Sequence, residues 1–271
     1  AVMRCGPDHD AEDGPPPRQR FHISYMPMRN RIEVPRLILE AAGAPYDFEV
    51  IGFRKWAEVK PTTPFGRTPV LHNFDGEGND LAQEAAITRF LAKELKLSGA
   101  SNAEEALCDM LYQQFFCTLR NNGLSHDGEH YSALALRDAA SSPVSLESLV
   151  RSAPRYVQMR RVNNFTVAER SLAALRAFEE QLERTGTGYL VGSKLTYVDL
   201  AVFNILFELD EPDNVPWFAS RFGLPRLGNL LKLLRDDHPH VSKYVRSEGR
   251  IPRYTRPGYV YCEGRFSSSA E

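Results

Sequence analysis

The chain has 271 residues, room for two domains at about 150 residues each, and its 42% hydrophobic and 25% charged residues are the composition of a folded globular protein. Thirty-three Lys and Arg against thirty-five Asp and Glu leave a net charge of −2, which argues against a general nucleic-acid binder because phosphate contacts need a basic surplus. No run approaches about eighteen consecutive apolar residues, which excludes a membrane-spanning helix, and Cys5, Cys108, Cys117 and Cys262 are too scattered for a metal cluster or a disulfide framework, so a reducing, cytoplasmic setting is expected.

Residues 1–20 hold three consecutive prolines and little to bury, and they are expected to be a disordered leader lacking the apolar core of a secretory signal. From Phe21, RFHISY alternates apolar and polar residues like a half-buried strand. Leu37, Ile38, Ala41 and Ala42 mark one side of a helix stopped by Gly43. Pro35, tolerable only in a first turn, places the start of that helix near Arg31 to Glu33. PYDFEVI alternates again, giving the strand–helix–strand crossover by which parallel strands are joined. TPVLHNF and a short strand near Asp80 to Ala82 flank the turn-rich DGEGN as a hairpin. Gln83 to Leu95 is helical by spacing, with Ala86, Phe90 and Leu91 inward. This β-α-β, irregular piece, β-β-α order is thioredoxin-like.

Beyond the linker Lys96–Asn102 the character becomes all helical. Ala103 to Asn121 is a strong helix, and residues 122–150, broken by Gly and Pro, are expected to be a partly helical insertion. Leu172, Leu175, Phe178 and Leu182 recur at helical spacing; GTGYLVG is a turn; TYVDLAVFNILFEL and Pro225 to Arg235 are further helices. The expected organisation is a leader at 1–20, an α/β thioredoxin-like domain at 21–97, an all-α domain at 103–246 and a tail at 247–271. Arginines (Arg246, Arg250, Arg253, Arg256, Arg265) and tyrosines (Tyr244, Tyr254, Tyr259, Tyr261) of the last stretch are expected to pack across the helical domain.

ISYMPMRNRIEVPRLILEAAG resembles the first strand and helix of the cytosolic glutathione S-transferases that carry a tyrosine at the site, nearest in flavour to the Sigma class. The resemblance continues through Trp56-Ala-Glu-Val-Lys60, Pro64-Phe-Gly-Arg-Thr-Pro-Val-Leu71, Gln83-Glu-Ala-Ala-Ile87 and Thr196-Tyr-Val-Asp199, over roughly residues 21–246. It implies glutathione as co-substrate with no metal, a small hydrophobic electrophile as second substrate, and a homodimer. Tyr25 is implied as the hydroxyl donor to the glutathione sulfur, with Arg31 adding positive charge nearby. A free thiol of pKa about 8.5 is only a few per cent ionised at neutral pH, and each unit by which a donor lowers it is worth about 1.4 kcal/mol.

Within Gly66-Arg67-Thr68-Pro69, the family implies a cis bond before Pro69 and pairing of the Thr68 backbone with the cysteinyl unit like an added strand. Trp56 and Lys60 match positions that hold the glycyl end, where an indole N–H and an ammonium suit a carboxylate. Gln83 and Glu84 open a helix whose N-terminus favours the γ-glutamyl carboxylate; Glu84 stands where the family has serine. Tyr112 and Phe116 are expected to contribute to the electrophile side. Asp109 matches one of a series of acidic positions that reach the partner in Sigma-type relatives; Gln113, Phe116 and Cys117 occupy the later ones.

Without the resemblance, Tyr25 reads as a strand-end aromatic, Trp56 as core, Lys60 as surface and Pro69 as an edge-strand proline. An isomerase using glutathione needs the same thiolate site. The reading from another class is a transferase-like binding or structural module without catalysis. Thr196 to Asp199 forms a helix-capping box with Leu195 and Leu200 as a hydrophobic staple. Cys108 and Cys117 are expected to be packed thiols, and His126 and His130 a solvated loop.

Overall fold

Phe21, Ile23 and Tyr25 share one face of strand β1 (Phe21–Tyr25), and all three are buried, the period-2 pattern of a strand with one face on the core. The computed structural model describes residues 20–120, 172–212 and 216–251, and the backbone of 264–267. The leader, the insertion at 122–150, Cys5, Cys262, His126 and His130 lie outside the described residues.

β1 runs parallel to β2 (Tyr46–Val50), with Phe21 opposite Tyr46 and Tyr25 opposite Val50. The crossover holds α1 (Glu33–Ala41), entered through a 3-10 turn at Asn30–Ile32. It is closed by Gly43, whose φ of 59° is tolerated best by a residue without a Cβ. Val34, Leu37 and Ile38 are fully buried, each worth about 1.5–3 kcal/mol in transfer out of water. The short helix α2 (Trp56–Val59) leads to β3 (Val70–His72), antiparallel to β1, and β4 (Leu81–Ala82) pairs antiparallel with β3.

α3 (Glu84–Glu94) follows, and its buried face differs from the expected one: Glu84, Ile87, Thr88, Leu91 and Ala92 point inward, Phe90 is half-buried and Ala86 is exposed. Two polar residues sit on the inward stripe, so apolar spacing alone selects the wrong rotation of this helix.

The sheet order is β4-β3-β1-β2-β5, where β5 (Gly264–Ser267) pairs antiparallel with β2, Val50 opposite Gly264. This corrects the expectation for the end of the tail, whose strand joins the sheet, whereas Arg250 packs on Phe207 of the helical layer as expected. An edge strand such as β2 presents unpaired backbone groups, and a further strand satisfies them.

In the helical layer α4 (Asn102–Phe115) begins at Ser101, whose hydroxyl accepts from the Glu104 N–H at 3.2 Å, and runs into a π-turn at Phe116–Arg120. α5 (172–185) buries Leu175, Phe178 and Leu182. α6 (Tyr197–Leu209) is apolar nearly all round and lies at the centre. Among the described residues α7 (Phe218–Phe222), α8 (Pro225–Lys232) with a π-turn at Leu233–Asp237, and α9 (Pro239–Val245) follow. The capping box forms as expected: the Thr196 N–H and Oγ1 both donate to Asp199 Oδ2 at 2.8 Å, and the Leu190 N–H donates to Oδ1 at 2.8 Å. Burial nevertheless pushes the Asp199 carboxyl up to about 6. Leu200 is fully buried and Leu195 packs on the same core, which runs without a break from the sheet into the helices.

Candidate functional site

Three strand ends bring the sequence motifs into one row. Ser24 lies opposite Val70 and Val70 opposite Ala82, so Tyr25, the Thr68–Pro69 pair and Gln83–Glu84 sit side by side just beyond these pairs. The Ile51 N–H donates to the Tyr25 carbonyl at 2.7 Å, and from this same end the chain leaves for Trp56 and Lys60.

Tyr25 is buried, and its hydroxyl accepts from the Arg31 backbone N–H at 3.4 Å. A hydroxyl oxygen that accepts from an N–H is polarised to donate its own hydrogen. Arg31 thus meets Tyr25 through its main chain. Thr68–Pro69 is a cis peptide, lying just before β3 and not within it. The Thr68 hydroxyl donates to the Ser24 carbonyl at 3.2 Å, fixing this pair against the end of β1. Gly66 has a φ of 61°, and a Cβ built there meets Cε of Lys60 at 3.3 Å, so the Lys60 stem crosses the glycine. Trp56, first in α2, is half-buried; Lys60 and Arg67 are exposed. Gln83 holds a φ of 77° at the N-cap of α3, and Glu84, the first helical residue, is buried where backbone N–H groups and the helix dipole favour negative charge.

Tyr112 does not join this group. It is fully buried, its hydroxyl donates to Thr88 Oγ1 at 3.4 Å, and its ring packs on Phe115, Phe116 and Tyr197. Where the sequence places it on the electrophile side, the structure shows it tying α4 to α3 and α6. Phe116 is half-buried against the same core. Asp109 also has a partner within its own chain, accepting from Arg89 Nε at 2.8 Å and the Tyr197 hydroxyl at 2.7 Å. Burial opposes its ionisation, but these two donors outweigh it and hold its pKa below the usual value. Cys108 is a packed thiol pushed up to about 12 by burial, whereas Cys117 is exposed, contrary to expectation. Among the described residues no group of three or more His, Cys, Asp or Glu is arranged to hold a metal ion.

Two features escape sequence reading. Ser24 Oγ lies 2.8 Å from His72 Nε2, and His72 Nδ1 lies 2.9 Å from Asp80 Oδ2, the order of groups in a serine nucleophile relay. Ser24 is buried, and the relay pins β1 to the β3–β4 hairpin behind Thr68. The alternating polar positions His22 and His72, paired in register, are its sequence signal. The second feature is Arg29, buried between Ile251 and Glu211, for which no local signal exists.

A family model described as the glutathione S-transferase C-terminal domain matches residues 156–248. Probable glutathione S-transferase 6 of Caenorhabditis elegans is 30% identical over 243 residues, 89% of this chain and 98% of the relative. The crystal structure of a major nematode-specific glutathione S-transferase of C. elegans superposes with a TM-score of 0.60 at 26% identity, covering 86% of this chain and 99% of that one. A monomeric glutathione S-transferase of the hookworm Necator americanus matches at 26% identity and a TM-score of 0.58 over 85% of this chain and 98% of its own. No helix among the described residues is long and apolar enough to cross a membrane. With this relative spanned almost end to end and the fold shared, the chain belongs to the glutathione S-transferase family.

Proposed function

We propose that the protein is a glutathione transferase in which the Tyr25 hydroxyl donates a hydrogen bond to the glutathione sulfur and stabilises its thiolate. The thiol proton leaves to solvent. The thiolate electron pair then forms a carbon–sulfur bond to a small hydrophobic electrophile, whose leaving group departs with the electrons of the broken bond. The observation that carries this reading is the Tyr25 hydroxyl, held by the Arg31 N–H in one row with Thr68–Pro69 and Gln83–Glu84. The names of the relatives support glutathione transfer as the reaction.

In this reading the Thr68 backbone pairs with the cysteinyl unit, Trp56 and Lys60 face the glycyl carboxylate across the turn at Gly66 and Arg67, and Gln83 and the start of α3 receive the γ-glutamyl end. Pairing of two copies is part of the proposal. Phe65 at 89% exposure, with Leu107 and Met110 on α4, offers apolar surface for it, and sedimentation equilibrium distinguishes a dimer from the monomer described for the hookworm relative.

Titrating the ultraviolet thiolate band of bound glutathione tests the site. A midpoint about two units below that of free glutathione in the wild type, returning toward it in Tyr25→Phe, is expected; a wild-type midpoint equal to that of free glutathione contradicts the reading.

A further inference from the structure

The segment after α9 lies antiparallel along one face of α1 and is gripped at three consecutive residues. Arg36 Nη2 donates to the Gly249 carbonyl at 2.8 Å, Arg250 Nε donates to Glu33 Oε1 at 2.6 Å, and Arg29 Nε donates to the Ile251 carbonyl at 2.6 Å. Positions 36, 33 and 29 are spaced as neighbours on one helical face, continued through the turn that precedes α1.

Everything that grips is buried: Arg29, Glu33, Arg36 and Arg250 are each at most 8% exposed. Arg29 Nη1 also donates to Glu211 Oε1 at 3.0 Å, with Glu208 at 3.9 Å. Arg36 packs against the rings of Phe48 and Tyr244, its guanidinium carbon 4.5 and 4.9 Å from their centroids, and Arg250 lies 4.4 Å from the centroid of Phe207. Three arginines and three glutamates thus close a buried network joining the loop before α1, the helical layer and residues 249–251.

Arg29 is where this network meets the site. It stands two residues before Arg31, whose N–H reaches the Tyr25 hydroxyl at 3.4 Å, the long end of a hydrogen bond and therefore sensitive to small shifts of the loop. Asn30, between them, has a φ of 25°, so the loop is not held by regular helical geometry. The Ile32 N–H bonds back to the Arg29 carbonyl at 3.1 Å, so displacing Arg29 displaces the turn that carries Arg31.

We propose that Arg29 is a positioning residue for Tyr25: by holding the Ile251 carbonyl and Glu211 together it fixes the loop from Met26 to Arg31 and keeps the Arg31 N–H on the tyrosine hydroxyl. This rests on the reading of Tyr25 as the donor to the thiolate. Lysine at position 29 keeps the charge opposite Glu208 and Glu211, but its single nitrogen does not reproduce the guanidinium fork that holds two acceptors at once.

The test is the pH titration of the thiolate band at saturating glutathione in the full-length protein, with thermal midpoints alongside. In Arg29→Lys the titration midpoint rises by about one unit, about threefold less thiolate at neutral pH. In the Tyr25→Phe background the same substitution leaves it unmoved, although its thermal effect remains. An unchanged midpoint in Arg29→Lys, or a rise that persists without the Tyr25 hydroxyl, overturns the proposal. Should Arg29→Lys not fold, Arg250→Lys, which keeps the charge on Glu33 while loosening residues 249–251, is judged by the same two results. A thiolate sensitive to Tyr25 but indifferent to Arg29 and Arg250 sinks this proposal alone; a thiolate indifferent to Tyr25 sinks the functional reading beneath it.

Discussion

Arg250→Met removes one charge from the buried network and keeps most of the side-chain volume. Glu33, at 0% exposure, loses the 2.6 Å donation from Arg250 Nε and retains the Tyr244 hydroxyl at 3.1 Å and the fields of Arg29 and Arg36. Breaking a buried pair on one side costs about 3–5 kcal/mol. The surviving partners place this case near the lower end, and the lost contact of the guanidinium with Phe207 adds up to about 1 kcal/mol. A loss of about 3–4 kcal/mol corresponds to a fall of roughly 10 °C in thermal midpoint for a chain of this size. Urea and thermal denaturation read it directly. Glu33→Leu combined with Arg250→Met, which removes both members of the pair, recovers about 1–2 kcal/mol relative to the sum of the singles, less than a full pair because Arg36 loses the field of Glu33.

The pH dependence has a fixed sign. Burial opposes ionisation of Glu33, but Arg250, Arg29 and Arg36 outweigh it and hold its pKa below the ordinary glutamate value. A carboxyl depressed in the folded state contributes stability that is present above its unfolded pKa of about 4.3 and is lost as pH falls through the folded value. The wild type therefore weakens below about pH 4, and the deficit of Arg250→Met narrows there because protonating Glu33 removes the stranded charge. A deficit under about 1 kcal/mol at neutral pH, or strict additivity in the double variant, refutes the reasoning.

Asp199 has the opposite sign: its carboxyl is raised by burial to about 6, so its contribution is full below the unfolded value of about 3.9 and is lost as pH rises through about 6. Asp199→Asn flattens stability between about pH 4 and 6, at a cost of about 1–2 kcal/mol for the lost acceptor facing Thr196, as urea midpoints across that range will show. Asp109→Ala lowers stability by about 1 kcal/mol through loss of the Arg89 and Tyr197 contacts, and leaves turnover within about twofold of wild type; a steep fall in steady-state rate would restore a role at the site. Glu84→Ser tightens glutathione by about fivefold, on the scale of about 1 kcal/mol, because the buried carboxylate occupies the end of α3 that favours an incoming anion. Calorimetry checks this, and weaker binding in the variant assigns Glu84 to the γ-glutamyl ammonium instead.

What the sequence disclosed was local. Alternation in FHISY and YDFEV, the Pro35 and Gly43 boundaries of α1, and the box at Thr196 to Asp199 depend on neighbours a few residues apart, and these elements stand where the patterns put them. The row of Tyr25, Thr68–Pro69 and Gln83–Glu84 follows from the same strand pattern once β1, β3 and β4 pair. Tyr112 shows the limit of periodicity. Helical spacing marks a side chain that faces something, and whether that is a pocket or Thr88 and Tyr197 depends on residues 24 and 85 positions away. The partners of Arg250 and Ile251 were not legible for the same reason, since they lie more than 200 residues upstream. The basic and aromatic content of the tail points to packing on the helical domain, but the burial of Arg250 against Glu33 becomes visible only when the chain closes on α1.

Steady-state conjugation of glutathione to chlorodinitrobenzene by the wild type and by Tyr25→Phe tests the central claim most directly. If the Tyr25 hydroxyl stabilises the thiolate, the wild type turns over and the variant loses about tenfold or more in kcat/KM at neutral pH, with the difference closing as pH rises past the free-thiol value near 8.5. Equal rates in the two proteins across that range would contradict it.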